Sequence, residues 1–213
     1  MKDILVVKIG GSCAASPDLV RWVAAIEQAR LPIVVVPGGG PFANAVRRYQ
    51  PRMGFGDEAA HEMAILAMEQ FGCALVGLGK RMVKAVDEAA IMAALGRGDI
   101  PVWMPRQLVL SAPEIPKNWS VTSDSLAAWL AGRLPGARLC LFKQIDLPEN
   151  ATIDALAGAQ IVDECFTELL DPATDVYVAG PADLSLAGVR LAEGEVPGHP
   201  VMRGRVLVAA NAG

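Results

Sequence analysis

Two short runs of aliphatic residues, mostly β-branched, each lead into glycine. Ile4-Leu5-Val6-Val7 passes through Lys8-Ile9 to Gly10-Gly11, and Ile33 to Val36 passes through Pro37 to Gly38-Gly39-Gly40. Such uninterrupted apolar runs are strands with no wet face, and glycines at their ends mark tight turns. Helical patterns follow both turns. Ser16-Pro17-Asp18 predicts a helix start with Ser16 as cap and Pro17 at the first helical position, running to about Ala29 with Leu19, Val20, Val23 and Ile26 on its apolar face. Pro41 opens the second helix.

Farther along, helical spacing predicts helices over 57–71, 82–95, 123–134 and near 182–192. Apolar runs predict strands over 100–104, 138–142, 175–179 and 206–209. The segment Pro51 to Gly56 reads as a loop, and so does His199 between Gly198 and Pro200. Strands alternating with helices give a parallel sheet covered on both faces. Ligands of such sheets sit beyond the carboxyl ends of the strands, where both glycine turns lie. With no linker or repeat in 213 residues, the chain is expected to form a single domain.

Composition narrows the partners. The chain carries 19 bases against 23 acids and a net charge of −4, with no basic face for sequence-independent nucleic-acid binding. No apolar run of about 18 residues is free of charge, Gly or Pro, so no membrane partner is expected. The start has no signal-peptide plan, because the apolar run ends at Lys8. The cysteines at 13, 73, 140 and 165 form no CxxC pair, so no metal-binding residues are assigned. Together these imply a cytoplasmic protein with reduced thiols.

Three clusters carry chemistry. In Lys8-Ile9-Gly10-Gly11-Ser12, glycines let backbone amides approach an anion, and the lysine adds a point charge. No GxxxxGK[ST] is present, so this is not a Walker A loop. In Pro37 to Asn44 a second glycine turn opens a helix. It also matches GxGxxA from Gly38 to Ala43, which raises a dinucleotide site as a rival. That rival requires an acid about 20 residues on, at a strand end. Asp57 has the spacing but follows the 51–56 loop. The third cluster, Trp119-Ser120-Val121-Thr122-Ser123-Asp124-Ser125, leads into a helix. Capping needs one such residue, and Asp124 is free to hold a lysine. Two anion-ready turns on one sheet suit transfer between two anions, whose repulsion lysine, amides and Mg²⁺ would screen.

Together the three clusters resemble the amino acid kinase superfamily. The resemblance implies a three-layer αβα sandwich with a mainly parallel sheet. It implies an acceptor and phosphoryl half over about 1–135 and a nucleotide half over about 136–213. It also implies ATP and Mg²⁺, a small phosphorylated substrate and a homo-oligomer. Carried over by position, Lys8 and Asp124 are catalytic, and Gly10, Gly11 and Ser12 bind the transferring phosphoryl group. Gly38, Gly39, Gly40, Asn44 and His61 fall on the acceptor side, and Lys143, Asp146 and Gly180 on the nucleotide side.

Val35 to Arg47, His61 to Gly72 and Trp119 to Leu126 are similar to one branch, the furan phosphate kinases of methanofuran biosynthesis. These kinases convert an aminomethylfuran-methanol phosphate to its diphosphate. Where superfamily members carry Thr-Asp-Val-Asp-Gly, this chain has Lys143-Gln144-Ile145-Asp146-Leu147. The usual late asparagine-glycine turn is Ala179-Gly180-Pro181. The alternatives are a non-catalytic subunit with a degenerate nucleotide site, or a kinase for a nucleoside monophosphate, an isoprenoid phosphate or an amino-acid carboxylate.

Overall fold

The computed structural model describes residues 4–148 and 150–204. Its strands are β1 (Leu5–Ile9), β2 (Ile33–Pro37), β3 (Met82–Ala85), β4 (Ile100–Trp103), β5 (Arg138–Phe142), β6 (Val176–Ala179) and β7 (His199–Val201). They form one sheet in the order β3-β4-β2-β1-β5-β6-β7, parallel except for the β6–β7 pair. The helices are α1 (Leu19–Glu27), α2 (Gly40–Met53), α3 (Asp57–Leu78), α4 (Glu88–Gly96), α5 (Arg106–Ser111), α6 (Ser123–Arg133), α7 (Ile153–Gly158), α8 (Phe166–Leu169) and α9 (Leu184–Glu193).

Side chains on a strand alternate between the two faces of its sheet. Leu5, Val7 and Ile9 pack with Trp22 and Ile26 of α1, Phe71 and Leu75 of α3, and Leu191 of α9. Ile4 and Val6 pack in the opposite core, with Leu126 and Leu130 of α6, Ile91 of α4 and Phe166 of α8. This is the expected αβα sandwich. Two-residue alternation puts Lys8 on the Val6 face, toward α6. With Val35 between Val7 and Val102, β1 and β2 are interior strands, which is why their sequences show no polar alternation.

Several boundaries differ from the sequence reading. The helix predicted over 82–95 is two elements. Met82–Ala85 is an edge strand on β4, and α4 starts after Asp87, whose side chain accepts from the Ala90 N–H at 2.7 Å. Met-Val-Lys-Ala has no propensity that separates an edge strand from a helix, so pairing decides. The helix expected from Ser16 starts at Leu19, because a 3-10 turn (Gly11–Ala15) takes up the chain first; Ser16 Oγ instead accepts from the Asp18 N–H. Pro51 to Met53, read as loop, completes the last turn of α2, and Gly54 ends it in the left-handed conformation (φ 75°). His199, also read as loop, begins β7. A 3-10 turn (Pro181–Asp183) precedes α9. The strand predicted over 206–209 lies outside the described residues.

Candidate active site

Register brings the glycine turns together. Lys8 pairs with Val36 and Ile9 with Pro37, so the two strands end level and their turns meet backbone to backbone. A methyl group on Gly11 would lie 2.7 Å from Gly40 Cα, and one on Gly38 would lie 2.8 Å from Gly11 Cα. Gly40 adopts φ 53°, a region that side chains disfavour. Only hydrogen fits at this junction. Gly38→Ala is therefore expected to cost about 3 kcal/mol or more, because a main-chain clash relaxes only by shifting both turns. Urea unfolding checks it: a midpoint equal to wild type contradicts the junction.

Both turns line one cavity of about 300 Å³. Gly11, Ser12, Gly39 and Gly40 form its floor side, and Asn44, Arg47, His61 and Trp119 contribute polar edges. Ile65, Met68, Val121 and Leu126 form an apolar wall. The first N–H groups of a helix have no intrahelical acceptor, so the start of α2 and the 3-10 turn present donors there. His61 is 3 % exposed, and its Nε2 has no hydrogen-bond partner. Burial pushes its pKa below the ordinary 6.5, against the pull of the Asn118 carbonyl, so the ring is neutral at pH 7. Arg47 lies 4.2 Å over the Trp119 ring, and the Trp119 indole N–H donates to Gln50 at 2.7 Å.

Behind this cavity three buried charges meet. Lys8 Nζ is 2.8 Å from Asp124 Oδ1, and Lys143 Nζ is 2.7 Å from Asp124 Oδ2. The Lys143 contact is a hydrogen bond. The Lys8 contact is a buried ion pair to the other carboxylate oxygen. Burial alone would raise the Asp124 pKa; the two ammonium groups overcome it and hold the carboxyl below its ordinary 3.8. Lys143 is pushed down from 10.5 by burial and then by Lys8, with Asp124 opposing. Lys8 is buried and does not itself line the cavity, but it lies against the first turn: a methyl on Gly10 would be 3.7 Å from its Nζ.

Of the residues singled out from sequence, the fold joins Lys8, Gly10, Gly11, Ser12, Gly38, Gly39, Gly40, Asn44, His61 and Asp124 into this region. Lys143 is there too, paired with Asp124 rather than standing alone on a loop. Asp146 and Gly180 lie against each other just past the adjacent ends of β5 and β6. Asp146 Oδ1 accepts from the Ala182 N–H at 2.9 Å, and a methyl on Gly180 would strike Ile145 and Asp146. Sequence reasoning gave Asp163 no role. The Asp163 carboxylate accepts from Thr122 N–H (3.0 Å), Thr122 Oγ1 (2.6 Å), Ser125 N–H (3.1 Å) and Ser125 Oγ.

A parallel sheet that ends in two fused glycine turns, backed by a lysine–carboxylate–lysine bridge, defines a phosphate-handling α/β protein. The chain belongs to the amino acid kinase family, whose model matches residues 3–147. It is 28 % identical over 178 residues to [5-(aminomethyl)furan-3-yl]methyl phosphate kinase of Methanocaldococcus jannaschii, covering 78 % of this chain and 82 % of that protein. The crystal structure of uridylate kinase from Archaeoglobus fulgidus shares its fold, with a TM-score of 0.64 at 16 % identity over 94 % of this chain and 100 % of that one. Among the described residues no helix is long and apolar enough to cross a membrane.

Proposed function

We propose that this kinase transfers the γ-phosphoryl group of ATP to a small phosphate monoester, a furan-methyl phosphate in the first instance, forming a diphosphate. The observation that carries the reading is the meeting of the two glycine turns over one cavity, with the Lys8–Asp124–Lys143 bridge directly behind. Similarity to the M. jannaschii kinase supports the acceptor class.

An acceptor phosphate oxygen is already anionic and attacks phosphorus in line without a strong general base. Catalysis is then a matter of positioning and charge neutralisation. Lys8 and Lys143 supply positive charge to the transferring group. Asp124 holds both ammonium groups in place and keeps their mutual repulsion from driving them apart. The amides of Gly11 and Ser12 hold phosphoryl oxygens, and those of Gly39 and Gly40 take the acceptor phosphate. The Gly10 and Gly38 N–H groups already donate to the Phe142 and Ile9 carbonyls, so these two glycines shape the turns rather than bind. The apolar wall of Ile65, Met68, Val121 and Leu126 suits a small uncharged body on that phosphate. Among the described residues no group of three His, Cys, Asp or Glu side chains is placed to hold a metal ion. Mg²⁺ would enter this reading with the nucleotide, whose phosphates it would help to neutralise.

The test is an ATP-coupled assay across a furan-methyl phosphate, a nucleoside monophosphate, an isoprenoid phosphate and an amino acid, with calorimetric titration of ATP·Mg²⁺ alongside. Turnover with the furan phosphate is expected. Absence of nucleotide binding at millimolar concentration would leave a non-catalytic acceptor-binding subunit instead. His61 meets the acceptor phosphate through Nε2 as an imidazolium: its other nitrogen faces the Asn118 carbonyl, and the negative charge of the bound phosphate favours the second proton that burial alone disfavours. His61→Ala is expected to raise acceptor KM about tenfold, with a smaller change in kcat, in keeping with one lost hydrogen bond to a charged group. An unchanged KM removes His61 from the acceptor site. The same proposal includes a cytoplasmic homo-oligomer, which light scattering on the purified chain would test.

A further inference from the structure

The segment between α7 and α8 is pinned to the catalytic bridge from two sides. α7 ends with Gln160 in the left-handed conformation (φ 53°), and the Ile161 N–H donates back to the Leu156 carbonyl at 2.9 Å. This closing turn aims the Ile161 carbonyl at Lys143, whose Nζ donates to it at 2.5 Å. Two residues on, Asp163 places its carboxylate on the first turn of α6, where Thr122 and Ser125 donate through both main-chain and side-chain groups. Val162 and Phe166 anchor the segment in the core, and the Cys165 N–H donates to the Ser120 carbonyl at 3.2 Å.

The first turn of α6 is the one that carries Asp124, and an anion there also meets the positive end of the helix. Capping is already supplied from within the chain segment, since Thr122 is the N-cap and its Oγ1 accepts from the Asp124 N–H. A second, long-range carboxylate on the same turn is more than a helix start requires. What it adds is a fixed position for the turn relative to the segment that holds Lys143.

We propose that Asp163 is a positioning residue for phosphoryl transfer: with the Ile161 carbonyl it forms a clamp that sets Asp124 and Lys143 relative to each other and compensates the second buried ammonium. The proposal rests on the kinase reading for its link to catalysis, but the clamp itself is testable without turnover. The charged and titratable groups facing Lys143 are Asp124 from α6, Lys8 from β1, Asp163 from the clamp and Cys13 from the first 3-10 turn. Two cations thus face two carboxylates. Asp163→Asn keeps the shape and removes one negative charge, leaving the cations in excess. Lys143 then loses its proton more readily.

The experiment is competitive acetylation of the purified chain with acetic anhydride across pH 6–10, read by peptide mass spectrometry at Lys143 with exposed Lys80 as internal reference. Asp163→Asn is expected to raise Lys143 labelling at pH 8 about threefold or more, the effect of roughly half a pKa unit, with Lys80 unchanged. In the assay, kcat is expected to fall about tenfold or more, acceptor KM to move less than about threefold, and the alkaline limb of the pH profile to shift to lower pH. Equal Lys143 labelling in folded wild type and Asp163→Asn overturns the clamp, whatever the turnover. Absence of turnover in wild type with shifted labelling overturns the kinase reading and leaves the clamp standing. Should Asp163→Asn fail to fold, Ser125→Ala removes one donor to the same carboxylate and keeps every charge. The carboxylate, with one donor fewer, bears more strongly on Lys143, so labelling is expected to fall about twofold, and unchanged labelling there overturns the proposal equally.

Discussion

Lys8→Met is expected to lower kcat at least a hundredfold, corresponding to about 3 kcal/mol of lost transition-state stabilisation. Methionine keeps the length and apolar stem of lysine and removes the ammonium, so packing against the neighbouring core is preserved. The loss falls on kcat rather than on acceptor KM, because the charge matters most as the phosphoryl group is in flight. Steady-state kinetics beside a thermal melt decides it. Wild-type turnover in a folded Lys8→Met protein would remove Lys8 from the chemistry and, with it, the phosphoryl-transfer mechanism.

Asp124→Ala is expected to be the most destabilising single change at the site. It leaves two buried ammonium groups facing each other without their shared counter-charge, and breaking a buried pair in this way costs about 3–5 kcal/mol. For a chain of this size that is a drop in Tm of roughly 10 °C, with activity lost as well. The pH dependence has a definite sign. The folded-state pKa of Asp124 lies below its ordinary 3.8, so the unfolded chain takes up the proton first as pH falls. The stabilisation by Asp124 is fully present above that ordinary value and is lost as pH falls through the lower folded value. The stability gap between wild type and Asp124→Asn should therefore be widest near neutrality and close in acid. A gap that stays constant down to acid pH would show that the carboxylate is not held by the lysines.

The alternation of buried strands with helices was legible because the strands lie inside the sheet. Val6, Val7, Val34 and Val35 meet neighbours on both faces, and a sequence free of polar alternation states that directly. The edge strand Met82–Ala85 was not legible, because an edge is half solvated and its four residues carry no strong preference. Likewise β7 rests on pairing with β6 at the sheet margin, and its His-Pro-Val sequence does not announce a strand. Among the site residues, Lys8, the two glycine turns and Asp124 stood out because their residue types are costly in a buried strand end or a helix start without a function to match.

From the order of residues alone came the two glycine turns at strand ends, the lysine beside the first of them, and the aspartate that opens α6. Each is local, since strand, turn and cap are dictated within a few residues. Tertiary structure decided the rest. It brought the turns into van der Waals contact through the level register of β1 and β2, joined Lys143 to Asp124 across 19 positions of chain, and set Asp163 on a helix start about 40 residues before it. Those partners are selected by packing over long separations, where the free energy depends on which buried charges and donors finally meet and no short-range pattern in the chain records the outcome.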